Sequence, residues 1–274
     1  MIPYPQIDPV IFHLGPIAPR WYGMMYLLGF LYIFHLLKKN ARWLGFEPEK
    51  ADSILATMVL GLIVCARLVY VIFYNLEGTL EGPWWEVFAV WHGGLAFHGG
   101  FAGTMLAGIY VSKKYNIRWL KLCDVVSMGA PVGLGLGRIA NFINSELWGR
   151  TTDVPWAMIF PNGGPHPRHP SQLYESFLEG LVLFVILQLI WRTKPRVGVI
   201  SGAFMFLYAC FRIAMEFFRE PDAQVGYLWF GITMGQILSS VMFIGGAILL
   251  WHSLTRGAPH DASPQQNLSK KKRA

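Results

Sequence analysis

The chain has 274 residues, of which 54% are hydrophobic and only 14% are charged. Soluble domains carry about 25% charged residues, so this composition excludes most water-soluble folds and predicts an integral membrane protein. The three cysteines are an odd number and lie in or beside apolar runs, which argues against a disulfide framework.

Seven apolar stretches are long enough, or nearly so, for the roughly 20 residues that a transmembrane helix needs. They cover residues 18–37, 52–74, 94–112, 122–142, 173–191, 198–217 and 230–251. We therefore predict an all-α integral membrane protein with about seven transmembrane helices. A single transmembrane domain is expected over residues 1–256, followed by a disordered basic tail over residues 257–274.

The basic residues predict the orientation of these spans. Sixteen of the 23 lysines and arginines fall in the loops after spans one, three and five and in the C-terminal tail. The positive-inside rule makes that side cytoplasmic, so the N-terminus is expected outside and the C-terminus inside. This distribution also explains most of the net charge of +7 and argues against nucleic-acid binding.

Ionisable residues within the predicted spans are few, and most lie toward the outer half of the membrane. Such residues are expensive in lipid and face a cavity or a partner. One interpretation is a set of intramembrane salt bridges, and the other is a site for phosphate, which arginine recognises well. The residues are Arg67, His98, Arg138, Glu175, Glu179, Arg212 and Glu216.

The stretch "GRIANFINSELWGR", residues 137–150, is the densest polar patch of the chain. On a continuing helix, Arg138, Asn141 and Ser145 would share one face. Upstream, Gly129, Gly133 and Gly137 recur every four residues, a spacing that predicts close helix packing in lipid.

The stretch "WHGGLAFHGGFAG", residues 91–103, contains two histidines six residues apart. His92 and His98 would lie about 240° apart around a helix, and no further ligands have suitable spacing, so no metal site is predicted. Gly99 and Gly103 are expected to let this helix pack closely against a neighbour.

Five motifs together resemble the bacterial prolipoprotein diacylglyceryl transferases. They are, in chain order, "RWYGMMYLLGF", "HGGLAFHGG", "GRIANFINSELWGR", "RHPSQLYE" and "EFFREPDAQ". The resemblance extends from about residue 7 to residue 251. It implies a seven-span enzyme of the bacterial cytoplasmic membrane that moves a diacylglyceryl group from phosphatidylglycerol to the lipobox cysteine of a preprolipoprotein. The implied products are a thioether and glycerol 1-phosphate, in the first step of lipoprotein maturation.

The resemblance also implies which residues are functional. Arg67 matches a family arginine, although its context here is "CAR" where relatives read "GGR", and His92 stands where some relatives carry aspartate. The matching residues are Tyr22, Arg67, His98, Arg138, Asn141, Glu146, Gly149, Tyr208 and Arg212.

The implied reaction assigns chemical roles to these residues. Negative charge grows on the phosphate oxygens as the phosphomonoester leaves, so Arg138 and Arg212 are expected to stabilise it, with Asn141 and Tyr22 or Tyr208 as neutral donors. His98 is the candidate base for the thiol, although the field of the arginines would share that work. The predicted catalytic residues are His98, Arg138, Arg212 and Tyr22, and the predicted substrate-binding residues are Arg67, Arg138, Asn141, Glu146, Gly149, Tyr208 and Arg212.

The expected partners are phosphatidylglycerol and the signal peptide of a preprolipoprotein, with no cofactor and a monomeric enzyme. Two other classes remain open from the residues alone. An anion channel would use the arginines as a selectivity site, but the cytoplasmic half of the spans has few polar groups. An intramembrane protease would need a serine elbow or paired aspartates, and the sequence contains neither.

Overall fold

A computed structural model describes residues 2–15, 18–220 and 232–261. Within these ranges the structure is helical, with isolated β-bridges and no extended strand. Each of the seven predicted spans contains a long helix, which confirms the all-α prediction. These helices are α1 (Trp21–Lys39), α2 (Ala51–Tyr74), α3 (Phe97–Lys114), α4 (Trp119–Ile143), α5 (Ser171–Arg192), α6 (Val199–Glu216) and α7 (Met234–Arg256).

Five of the helices, α2 and α4 to α7, are long and apolar enough to cross a membrane by length and composition. Seven crossings and the orientation of the termini therefore stay predictions. Short helical turns join the long helices, and their bounds are Ala41–Leu44, Pro48–Lys50, Leu76–Glu81, Trp84–Phe88 and Val90–His92.

The described residues form two compact units, the first made of residues 2–36 and 123–261 and the second of residues 37–122. In the second unit α2 packs directly against α3. A Cβ atom at Gly99 or Gly103 would collide with the backbone of α2 at Cys65 and Gly61. The predicted close packing of Gly99 and Gly103 is confirmed.

In the first unit the glycine prediction for α4 is only partly confirmed. Gly129 faces Ile33 of α1, and a Cβ added at Gly29 of α1 would lie 3.1 Å from the Cα of Gly133, but a Cβ at Gly137 would meet open space. Helix α4 also approaches α5 closely at Gly135, where an added Cβ would lie 2.9 Å from the Cα of Gly180.

The turns of α5 next to that contact are not α-helical. Residues Ser176–Val182 form a π-helix between two α-helical parts, Ser171–Glu175 and Leu183–Arg192. The Ser176 hydroxyl donates to the Gly135 carbonyl at 2.9 Å, which ties this segment to α4. Single π-turns are rare in helices and occur frequently at functional sites.

The start of α6 is held by a buried carboxylate from α4. Asp124, 1% exposed, accepts hydrogen bonds from the backbone N–H groups of Gly198 and Ser201 at 2.6 and 2.9 Å, and from the Ser201 hydroxyl at 2.7 Å. The first N–H groups of a helix have no partner within the helix. Asp124 therefore caps α6 from a neighbouring helix.

One local prediction was wrong. The face shared by Arg138, Asn141 and Ser145 does not form, because α4 ends at Ile143 and Ser145 has a left-handed backbone with φ of 54°. The disordered tail over residues 257–274 stays a prediction. Residues 257–260 contact the loop before α6 through the Val197 N–H to Ala258 carbonyl bond, and residues 262–274 lie outside the described residues.

Candidate active site

The first unit contains a buried cluster of arginines and glutamates contributed by α4, α5 and α6. Arg138 on α4 lies 2.8 Å from Glu175 Oε2 at the start of α5, and Arg212 on α6 lies 3.4 Å from the same oxygen. Glu175 is completely buried, whereas the Arg138 side chain keeps 17% of its surface exposed. Glu175 therefore bridges two guanidinium groups, and Arg138 is the more accessible of the two.

Two further carboxylates complete the cluster. Glu216, one turn after Arg212 on α6, forms an ion pair with it and accepts a hydrogen bond from the Thr233 hydroxyl at 2.9 Å. Glu179, in the π-helical segment, lies 4.0 Å from both Arg138 and Arg212 and is completely buried. Neither of its oxygens accepts a hydrogen bond from the described residues.

The sequence left two interpretations of these residues open, a set of salt bridges and a phosphate site, and the cluster is compatible with both. Arg138 and Arg212, the predicted phosphate ligands, lie together, and both are already paired with carboxylates. Glu175 and Glu179 were absent from the predicted site. The sequence did contain a signal for them. The two glutamates lie one helical turn apart in a span that has no lysine or arginine, so they need positive partners from other helices.

The polar residues after α4 form a second group. Glu146 is exposed, and its carboxylate accepts hydrogen bonds from the side-chain amides of Asn141 at 2.8 Å and Asn144 at 3.1 Å. The fully buried Gln172 donates to the Glu146 backbone carbonyl at 2.7 Å. The predicted pair Asn141 and Glu146 is therefore held together, with α5 fixing its position.

Gly149 lies where two other backbone segments meet. Its N–H donates to the His169 carbonyl at 2.9 Å, and an added Cβ would lie 2.6 Å from the Phe218 carbonyl oxygen and 2.7 Å from that of His169. The adjacent Arg150 donates to the carbonyls of Arg219 and Glu216, at the end of α6. This position requires glycine because backbone approaches it from both sides.

The segment before α5 is anchored by aromatic and charged contacts. The Arg168 guanidinium lies 4.0 Å from the ring centroid of Trp148 and 3.1 Å from Glu220. His169 Nδ1 lies 3.3 Å from the Tyr174 hydroxyl, and burial lowers the pKa of His169. The Ser171 hydroxyl donates to the Leu147 carbonyl at 3.3 Å.

Both predicted site tyrosines belong to the first unit. Tyr208, one turn before Arg212, lies within electrostatic range of Arg212 and Glu179. Tyr22, at the start of α1, is 38% exposed, lies 3.3 Å from the Tyr26 hydroxyl, and is within electrostatic range of Arg138. Tyr208 and Tyr22 therefore each lie near at least one of the two arginines.

The other two predicted site residues, His98 and Arg67, belong to the second unit. His98 is exposed in the first turn of α3, beside the ring of Phe97. Arg67 on α2 is 5% exposed, and its guanidinium donates to the backbone carbonyls of residues 86, 87, 93 and 94. These bonds occupy its donors, so Arg67 fixes the connection between α2 and α3.

The side chain of His92 lies outside the described structure. Across the residues that the structure describes, no three or more His, Cys, Asp or Glu side chains are grouped as a metal site would require.

The chain is similar to known proteins over nearly its whole length. Residues 9–252 match the family described as prolipoprotein diacylglyceryl transferase. A protein of Nitrobacter hamburgensis named phosphatidylglycerol–prolipoprotein diacylglyceryl transferase is 50% identical, with 94% of this chain and 92% of that protein covered. Proteins of the same name from Geobacter sulfurreducens and Vibrio vulnificus are 49% and 48% identical, and the covered shares are 89% and 95% of this chain and 94% and 96% of theirs. The chain belongs to the prolipoprotein diacylglyceryl transferase family.

Proposed function

We propose that this protein transfers the diacylglyceryl group of phosphatidylglycerol to the lipobox cysteine thiol of a preprolipoprotein. The carbon–sulfur bond forms a thioether, the bond between the glyceryl carbon and the phosphate oxygen breaks, and glycerol 1-phosphate leaves. This reaction is the first step of lipoprotein maturation. The identity of about one half to relatives named for this activity, over more than nine tenths of the chain, is the observation that carries the proposal.

The paired arginines support a role in the chemistry. The substrate phosphodiester carries one negative charge and the departing phosphomonoester approaches two, so the phosphate gains charge in the transition state. Fixed donors directed at that charge accelerate such a step. Arg138 and Arg212 supply the positive donors, while Asn141, Tyr22 and Tyr208 supply neutral ones. Glu146 and Gly149 maintain the loop beside them.

The thiol must lose its proton because the thiolate is the nucleophile. His98 is the proposed acceptor, since an ordinary imidazole titrates near neutral pH. Arg67 is proposed as a substrate-binding residue from the resemblance, although its guanidinium donates to backbone carbonyls at residues 86 and 93.

The proposed setting is the bacterial cytoplasmic membrane, with the site toward the outer leaflet and the C-terminus in the cytoplasm. The basic loops after α1, α3 and α5 support this orientation. Both substrates reach the site from the lipid phase, and the enzyme acts as a monomer without a cofactor.

The test uses the purified full-length protein in detergent with phosphatidylglycerol and a lipobox peptide. We expect the peptide to gain the mass of one diacylglyceryl group and glycerol 1-phosphate to appear in equal amount. A peptide with serine in place of the lipobox cysteine is the matched control and should gain nothing. Folded protein that yields neither product would contradict the proposed function.

A further inference from the structure

The Arg138–Arg212 pair is charge-matched before any substrate arrives. Arg138 and Arg212 contact Glu175, Arg212 contacts Glu216, and Arg219 interacts electrostatically with Glu179. Three guanidinium groups therefore face three carboxylates. An incoming phosphate meets arginines whose charge is largely compensated, so its affinity depends on the carboxylates as well as on the arginines.

Glu179 differs from the other two carboxylates in its bonding. Glu175 accepts a hydrogen bond from Arg212 and Glu216 accepts one from Thr233. Glu179 accepts none from the described residues, although it is completely buried and lies 4.0 Å from each arginine. It contributes charge to the cluster without contributing a hydrogen bond.

The backbone around Glu179 is specialised to place it there. It lies in the π-helical segment Ser176–Val182, and the next residue, Gly180, touches Gly135 of α4 backbone to backbone. This contact brings the backbone of α4, which carries Arg138, close to the backbone of α5. A buried carboxylate with no hydrogen bond is costly for stability, so a fold that keeps one needs another reason.

Resting on the proposed function, we propose that Glu179 is a positioning residue that sets the affinity of the arginine pair for phosphate and so allows the product to leave. Its negative charge repels a phosphate held by Arg138 and Arg212. The repulsion doubles when the singly charged diester becomes a doubly charged monoester. Glu179 therefore weakens product binding more than substrate binding, which favours turnover over trapping of the product.

The variant E179Q tests this role, because Gln has the shape of Glu and no described hydrogen bond is lost. At an effective dielectric constant of about 20, two unit charges roughly 10 Å apart still interact strongly enough to change a binding constant about ten-fold. We expect the KM for phosphatidylglycerol to fall about ten-fold. The inhibition constant of added glycerol 1-phosphate should fall by about 100-fold, because that ligand carries about twice the charge.

The unequal size of the two changes is the decisive readout, since a purely structural role would not depend on ligand charge. The control E220Q removes a charge from a glutamate that pairs with Arg168 and is expected to leave both constants unchanged. If E179Q does not fold, E179L removes the same charge without burying an unpartnered amide and should give the same two shifts.

Constants that are unchanged, or changed equally, in the folded variant would overturn the proposed role of Glu179. Wild-type protein that forms no product would instead contradict the proposed function, so the two failures are distinguishable.

Discussion

Helix α4 carries Asp124 toward its start and Arg138 toward its end, and the charges of these two residues are satisfied in different ways. Asp124 is bonded to two backbone N–H groups and a hydroxyl at the start of α6. Arg138 is bonded to the side chain of Glu175 and keeps part of its surface exposed. The bonds of Asp124 hold α6 against α4, whereas Arg138 stays partly exposed and Glu179 beside it accepts no hydrogen bond from the described residues. The protein therefore satisfies one charge with backbone groups and the other with a side chain, and only the second arrangement leaves part of the charged group accessible.

The variant R138A tests the proposed role of Arg138, toward the end of α4, and has the largest expected effect on turnover. Removing one charged donor from a growing oxyanion costs about 100-fold or more in turnover. Product formation by the lipobox peptide measures it. The double variant R138A/E175Q is the control, because it also removes the carboxylate left without its partner. We expect it to regain stability but not turnover, and a double variant with wild-type turnover would exclude Arg138 from the site.

The variant D124A tests the structural end. It leaves the first N–H groups of α6 without a charged acceptor, which should lower the free energy of unfolding by about 3 kcal/mol. Thermal unfolding in detergent measures the loss. The KM of the protein that remains folded should equal the wild-type value. A changed KM with unchanged stability would contradict a purely structural role for Asp124.

The variant G149A tests whether the loop after α4 requires glycine at position 149. The added methyl group would collide with the carbonyl oxygens of Phe218 and His169. Overpacking of this kind costs about 2 kcal/mol, and turnover should fall because Glu146, which accepts a hydrogen bond from Asn141 at the end of α4, lies on the same loop. Thermal unfolding and product formation measure the two effects. Wild-type values for both would show that the segments separate easily.

The variant H169Q has the smallest expected effect and tests the region beside that loop. The Trp156 indole N–H donates to the Tyr174 hydroxyl at 2.6 Å, so this hydroxyl can donate to His169 Nδ1 when the imidazole is neutral. Burial lowers the pKa of His169 in the folded protein. Acidification from about pH 6.5, the unfolded-state value, through the lower folded pKa should therefore reduce stability. Melting temperatures between pH 7.5 and 5 should fall less in H169Q than in the wild type, and identical profiles would contradict this.

The sequence predicted where the helices lie along the chain but not which side chains they bring into contact. Long apolar runs locate α1 to α7 within a few residues, because crossing lipid demands length and hydrophobicity. The arginines of the cluster were also predicted, since charges within apolar runs are conspicuous. The bridge from Glu175 to Arg138 and Arg212 was not, because it depends on how three separate helices lie side by side. Ser145 was misplaced because nothing local marked the end of α4 at Ile143.

Arg67 has a consequence for how this protein is made. All its described hydrogen-bond partners lie between residues 86 and 94, at most 27 residues further along the chain. The same stretch leads directly into α3, which packs on α2 through Gly99 and Gly103. The hydrogen-bond donors of Arg67 therefore find acceptors within the hairpin formed by α2, α3 and their connection. During synthesis the hairpin can therefore satisfy Arg67 once α3 has folded against α2, without any contribution from the helices that follow.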